Sequence, residues 1–278
     1  MPSILRDIAV VHTYYYTDPA CPWSWALEPA VRKLGHELAG SLSVTYVMCG
    51  IARQFGDPAP LVADMLEAAD RSGMPVDPRL WLAVPPRSSH PACLAVKAAS
   101  EQGDPAPYLR RLREGLMCRR RKLDSTDALI EEARAVPGLD LDKLRLAFGS
   151  HATVEAFGAD LDRAAAVPAE HHAPGTGCVK LPSLEFVGSP DGAVHGVYGY
   201  SDYSSLWAAA TAAGAESSGG APPGVEGALA VFGSMATVEV AAVCDLPGPR
   251  APAELWRLAT EWRVRADRVG SGELWTVA

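Results

Sequence analysis

The sequence has little that would mark a membrane, secreted or nucleic-acid-binding protein. No apolar run reaches the ~18 residues that a membrane-spanning helix needs. The opening Met1-Pro2-Ser3-Ile4-Leu5-Arg6-Asp7-Ile8 lacks a basic head followed by a long apolar stretch, so no export signal is expected and the cytoplasm is the expected compartment. Cysteines are scattered: Cys21, Cys49, Cys93, Cys118, Cys178 and Cys244 form no close-spaced pair, which excludes a zinc ribbon and a disulfide framework and leaves free thiols as the expected state. Basic residues are outnumbered by acidic ones, 25 to 33, for a net charge of −8. That balance excludes nucleic acid or an anionic membrane surface as the main partner. The 25 Gly and 23 Pro fall without a period, so no fibrous repeat is present.

What is there is apolar and globular. Of 278 residues 48% are hydrophobic and 21% charged, enough to bury a sizeable core in one or two domains and incompatible with disorder throughout. Ile8 to Tyr16 is β-branched and aromatic and ends at Asp18-Pro19, the pattern of a buried strand running into a turn. A helix is predicted from about Cys21, with Pro22 in its first turn and Leu27, Ala30, Val31 and Leu34 as its apolar stripe, stopping at Gly40. Leu42 to Met48 follows as a second strand, completing a right-handed βαβ unit.

From about 53 to 168 the pattern turns helical, with six predicted helices over 61–69, 91–102, 108–118, 126–135, 141–147 and 152–165, punctuated by Pro and Gly. Two short strands, Leu184 to Val187 and Val194 to Tyr198, flank the turn signal Ser189-Pro190-Asp191-Gly192, and a helix over Ser204 to Ala213 closes the unit. Residues 214–224 have linker composition. Beyond them, 225–278 reads as three helices (225–232, 237–244, 253–262) and a hairpin turning at Gly270-Ser271-Gly272. That order resembles a winged helix. Five Arg against seven acidic residues, with Glu254 and Glu261 on the helix that would enter a groove, exclude DNA binding. Trp256, Trp262 and Trp275 are expected to pack against the main body or a protein partner.

The strongest local signal is Asp18-Pro19-Ala20-Cys21-Pro22-Trp23-Ser24-Trp25. A cysteine between strand and helix faces unpaired backbone N–H groups and the positive end of the helix dipole, which stabilise a thiolate, the nucleophilic form. Cys21 is therefore the one cysteine expected to be reactive.

The stretch Tyr16 to Pro29 resembles the active-site segment of the DsbA-like branch of the thioredoxin superfamily, and the resemblance covers roughly 9–213. It implies an α/β, thioredoxin-like fold with a large helical insertion (about 53–168) in a domain spanning 1–213, followed by the linker 214–224 and the small winged-helix-like module 225–278. It also implies that Val179-Lys180-Leu181-Pro182-Ser183-Leu184 is the cis-proline loop, placing Leu181 and Pro182 beside Cys21, with Pro22 and Trp23, to hold a substrate. The chain departs from the resemblance at Ser24, where members that exchange disulfides carry a second cysteine.

Three readings follow. In the first the protein is a thiol–disulfide oxidoreductase working through Cys21 alone, Ser24 hydrogen-bonding to its sulfur, with a low-molecular-weight thiol as co-substrate or Cys178 as resolving cysteine. In the second it is a non-catalytic, protein-binding adaptor. In the third it is a small-thiol-dependent isomerase or transferase. No tightly bound cofactor and no metal are expected, His171-His172 lacking further ligands at metal spacing. Expected partners are a protein or small-molecule thiol or disulfide, with a homodimer as a further option. Arg119-Arg120-Arg121-Lys122 reads either as an anion site or as a solvated helix end, and Arg87-Ser88-Ser89-His90 as a border of the active cleft.

Overall fold

The branched and aromatic run at 11–17 forms strand β1 (Val11–Thr17), whose side chains at Val11, Thr13, Tyr15, Tyr16 and Thr17 are all buried, as befits a strand covered on both faces. The computed structural model describes residues 10–188 and 192–278. Ile8 and Ala9 of the predicted first strand, and Ser189 to Asp191 of the predicted turn, lie outside the described residues.

The single helix predicted after Cys21 is two, α1 (Pro22–Ala26) and α2 (Glu28–Glu37). Pro29 has no N–H to donate to the carbonyl one turn before it, and the axis breaks at Leu27. Leu27 keeps near-helical angles (φ −82°, ψ −12°), and its carbonyl still accepts from Val31 at 3.0 Å, so the break is a kink and not a turn. Gly40, at φ +82°, lets the chain reverse into β2 (Leu42–Met48).

β2 runs parallel to β1, in register from Val11 opposite Leu42 to Thr17 opposite Met48. β3 (Ser183–Val187) lies antiparallel on the other side of β1, and β4 (Val194–Tyr198) antiparallel to β3. The sheet order is therefore β2-β1-β3-β4. Because Tyr16 pairs with Ser183, the start of β3 sits at the end of β1 from which the Cys21 turn springs. One apolar cluster joins Tyr15, Leu34, Leu38 and Phe186 to Leu206 and Ala210 of helix α10 (Tyr203–Ala212).

The insertion contains α3 (Ala59–Ser72), α4 (Arg79–Ala83), α5 (His90–Ser100), α6 (Ala106–Met117), α7 (Thr126–Ala133), α8 (Leu141–Ala147) and α9 (His151–Ala166). Local chemistry fixes several starts: Ser125, Asp140 and Ser150 each accept backbone N–H groups of the first turn of α7, α8 and α9. This unit shares the largest core cluster, which includes Trp25, Met48, Met65, Trp81 and Leu112. Among the described residues no helix is long and apolar enough to cross a membrane.

The C-terminal module comprises α11 (Val225–Phe232), β5 (Met235–Ala236), α12 (Thr237–Val243), α13 (Arg250–Thr260), β6 (Val264–Val269) and β7 (Gly272–Val277), with its strands in the order β5-β7-β6. Its tryptophans do not pack against the main body. Trp275 is buried in the module's own core and donates to Thr237 Oγ1 at 2.9 Å, Trp256 meets it edge-on, and Trp262 is 88% exposed. Smaller side chains make the junction instead: Ala236, Val269 and Leu274 belong to the large central cluster.

Charge reinforces that junction. Glu239 of α12, fully buried, binds Arg110 of α6 at 2.8 Å and Arg32 of α2 at 3.1 Å, and its carboxylate accepts the Ala236 N–H at 2.6 Å. Glu28 closes the cage against Arg110 at 3.1 Å and against Arg113. Burying these charges is costly singly, and leaving one without its partners costs ~3–5 kcal/mol, so the cage holds only with every member present. The hairpin turn touches the body too: Ser271 donates to the Val76 carbonyl at 3.2 Å and accepts the Val76 N–H through its hydroxyl at 3.0 Å.

Candidate functional site

Cys21 is the N-cap of α1. Its sulfur accepts the Ser24 N–H at 3.4 Å, and Pro22 takes the first helical position, where no N–H is missed. Behind it stands a polar relay. Arg113 donates to Thr17 Oγ1, the Thr17 hydroxyl donates to Ser24 Oγ at 2.9 Å, and the Ser24 hydroxyl reaches the Cys21 sulfur. A hydrogen bond from Ser24 to the sulfur is present in the geometry through its backbone N–H.

The expected thiolate is not. Cys21 is only 5% exposed. Burial pushes its thiol up, the Ser24 hydroxyl and N–H pull it down, the nearby Asp18 carboxylate pushes it up and the Trp23 N–H pulls it down; the net position is above the ordinary thiol range. Desolvation outweighs a helix start of five residues.

Asp18 organises the loops around it. One carboxylate oxygen accepts the Ala20 N–H at 2.7 Å; the other accepts the Ile51 N–H at 2.8 Å and the Cys93 S–H at 3.3 Å. That buried acceptor set was not foreseen from sequence, although an Asp immediately before Pro at a strand end is a recurrent turn signal. The Arg87–His90 segment packs on the same loop: the Ser89 hydroxyl accepts the Ala52 N–H at 3.3 Å, and the His90 ring stands against Phe157 with centroids 5.1 Å apart.

The two tryptophans of the motif separate. Trp25 is buried, donates from Nε1 to the Pro75 carbonyl at 2.9 Å and lies under the Arg110 guanidinium. Trp23 is partly exposed, with Tyr200 at 5.3 Å between ring centroids and Arg71 over its face at 5.7 Å. The Leu181–Pro182 bond is cis, Pro182 is buried, and Leu181 packs with Tyr16, Val47, Val179 and Cys49.

Cys178, expected near Cys21 as a resolving thiol, packs against the apolar cluster that holds Cys49, and each of the two thiols shifts the other. Cys178 is half-buried and the other five cysteines are buried. The neighbouring Cys49 thiol draws the Cys178 pKa down to about 7, against burial and with help from the Val179 N–H, while the Cys49 S–H itself points to the Val47 carbonyl at 3.5 Å. Sequence singled out Cys21 as the reactive thiol; the lowered one is Cys178. No local pattern could reveal this, because the partner that activates Cys178 lies across the fold.

Other candidate groups have structural partners. His171 stacks on Tyr198 with centroids 3.7 Å apart, and a His172 ring nitrogen bonds the Val167 carbonyl at 2.7 Å. Among the described residues no three His, Cys, Asp or Glu side chains gather as a metal site. The basic run is paired residue by residue: Arg119 with Glu114 and Asp267, Arg120 with Asp77, Arg121 with Glu132 and Lys122 with Asp124. It is neither an open anion site nor a merely solvated helix end. Two hollows, one lined by Tyr16, Arg163 and Glu185 and the other by Tyr46, Lys97 and Asp104, draw no lining residue from the Cys21 turn.

A family model described as "Thioredoxin" matches residues 14–172. Among curated proteins, the chain is 31% identical over 160 residues to the ClpXP adapter protein SpxH of Halalkalibacterium halodurans, a match covering 53% of this chain and 52%, about half, of that relative's length. It is 27% identical to the ClpXP adapter protein SpxH of Bacillus subtilis over 94% of this chain and 87% of the relative. Among solved structures, a putative protein disulfide isomerase from Nitrosomonas europaea superposes with a TM-score of 0.62 at 18% identity, covering 73% of this chain and 97% of that one. At that identity the likeness is one of fold.

Proposed function

The chain belongs to the thioredoxin family, and from that premise we propose that it is a non-catalytic adaptor that binds another protein and brings it to a ClpXP-type protease. The observation that carries this reading is the state of Cys21: buried, held above the ordinary thiol range and followed at the third position by Ser24 in place of a second thiol. A desolvated thiol shifted away from its charged form is a poor nucleophile, and a mixed disulfide formed on it would find no second thiol at position 24 to release it. The names of the two curated relatives support the same direction. We assign the binding face to half-exposed Trp23 beside the Cys21 turn and to half-exposed Leu181, with buried Pro22 and Pro182 setting the backbone beneath them, and a second contact to exposed Trp262 on the winged-helix-like module; aromatics of this kind serve as anchors in protein interfaces. The reading places the protein in the cytoplasm, in keeping with six free cysteines.

The test compares protein half-lives in cells that lack the chain with cells given back the wild type or Cys21→Ala. Proteins that persist in its absence are expected to be degraded again with either version. Rescue by the wild type alone, together with turnover of a disulfide substrate by the purified protein and a small thiol, would overturn the adaptor reading in favour of single-cysteine exchange. The hydrogen bonds from Ser24 to the Cys21 sulfur are the observation that favours that second reading.

A further inference from the structure

Cys49 and Cys178 share an apolar cluster to which no residue of the Cys21 turn belongs. Cys49 follows β2 and is anchored by its N–H to the Thr17 carbonyl at 2.9 Å, while its thiol also lies 3.5 Å from the Val47 carbonyl. Cys178 sits on the loop that enters the cis-proline segment. That loop is held as closely: His172 and Val179 form an antiparallel bridge, Ala173 donates to the Cys178 carbonyl at 2.9 Å, and Val179 donates to the Ala164 carbonyl at 3.3 Å. Tyr16, Val47, Ala164, Val167 and Val179 pack around the pair. Two segments fixed independently of the sulfurs therefore present them to one another, one thiol buried and the other reachable from solvent.

We propose that Cys49 and Cys178 are an oxidation site, forming a reversible disulfide with a low-molecular-weight disulfide as oxidant. Cys178, as thiolate, attacks one sulfur of the small disulfide RSSR; a Cys178–SR bond forms, the S–S bond of the oxidant breaks and RS⁻ leaves. The Cys49 thiol gives up its proton and attacks the Cys178 sulfur, expelling the second RS⁻. The two thiolates take up the two protons, so two protein thiols are oxidised and one RSSR is reduced to two RSH. Excess RSH runs the steps backwards. The asymmetry suits the chemistry: the accessible thiol has its pKa drawn down to about 7, and the buried one is shielded from the oxidant within the same cluster. A pair seated in one apolar cluster needs only local movement to close a bond of ~2 Å. The bond would tie the loop leading to Leu181 and Pro182 to the end of β2.

The experiment uses the intact purified chain and oxidised glutathione as probe, with iodoacetamide added under denaturing conditions and trypsin applied without reductant. Cys49 is the sole cysteine of tryptic peptide 34–53 and Cys178 that of 164–180, so a cross-link between them is unambiguous by mass. The linked peptides are expected after oxidation and are expected to vanish after reduced glutathione. In Cys49→Ser, Cys178 is expected to keep glutathione, because the thiol that expels it is gone; in Cys178→Ser, Cys49 is expected to stay free for alkylation. Wild-type protein that holds glutathione on Cys178 with Cys49 alkylated, links Cys178 to Cys21, or leaves both thiols free would overturn the proposal. The readout is a covalent bond within the chain, so it succeeds or fails independently of any adaptor activity.

Discussion

Desolvation and hydrogen bonding pull the thiols of this molecule in opposite directions, and which one wins differs from one cysteine to the next. At Cys21 the amide and hydroxyl of Ser24 do not offset burial, whereas at Cys178 a neighbouring thiol and half-exposure leave the sulfur near its charged form at neutral pH. Alkylation by iodoacetamide at pH 7.5 is therefore expected to mark Cys178 at least ~10-fold faster than Cys21, since the thiolate is the reacting species. Peptide mapping against time checks the order, and faster labelling of Cys21 would contradict it. A second residue with a large shift is Glu28: burial pushes its carboxyl up, but Arg113, Arg110 and Arg32 outweigh it and bring it down to about 2. Because the folded value lies below the unfolded one, the unfolded chain binds the extra proton. The stabilisation is full above the ordinary carboxyl range and is lost as pH falls through about 2. Glu28 accounts for ~3 kcal/mol of that acid-side loss. Urea denaturation between pH 5 and 2.5 is expected to show a shallower pH slope for Glu28→Gln than for the wild type.

At the scale of elements, sequence pattern reads well wherever the determinants are local. The bounds of β2 and of α8 agree with expectation, because alternating branched residues and an Asp140 cap specify them on the spot. α4 and β5 escaped, being five and two residues long and held by tertiary contacts instead of periodicity. The kink at Leu27 was written in Pro29 but hidden under a continuous apolar stripe. The candidate site was legible only as a motif: Cys21 starts α1, the Ser24 N–H bonds its sulfur and the Leu181–Pro182 bond is cis, while the burial of the sulfur and the gathering of Cys49 and Cys178 in one cluster depend on chain segments far apart in sequence. One element-level requirement follows from the hairpin turn. A side chain at Gly270 would bring its Cβ to 2.3 Å from the Val76 carbonyl oxygen, a backbone atom that cannot step aside. Gly270→Ala is expected to cost ~1–3 kcal/mol in urea denaturation, whereas the same change at Gly149, where nothing lies within 4 Å, is expected to leave the midpoint close to that of the parent.

On the scale of the whole molecule, the C-terminal module and the thioredoxin-like body share a hydrophobic cluster and a buried set of ion pairs. The intervening segment is itself tied down, Glu216 donating to Ser41 Oγ at 2.8 Å and Ser218 to the Glu37 carbonyl at 2.8 Å. A chain so joined is expected to unfold in one cooperative step in urea, followed by circular dichroism and by tryptophan fluorescence. Coincident curves are the expected result, and two resolved transitions would show that the parts are independent. Glu239→Gln is expected to shift the whole curve, not a fraction of it.

The cage of Arg32, Arg110, Glu28 and Glu239 has a further consequence. Prying the halves apart would take Glu239 from Arg32 and Arg110, which resists any swing of the module on the body. Two proteins seated on the body and on the module would be kept at one spacing and one angle, and any further reach would have to come from slack in the bound chains themselves.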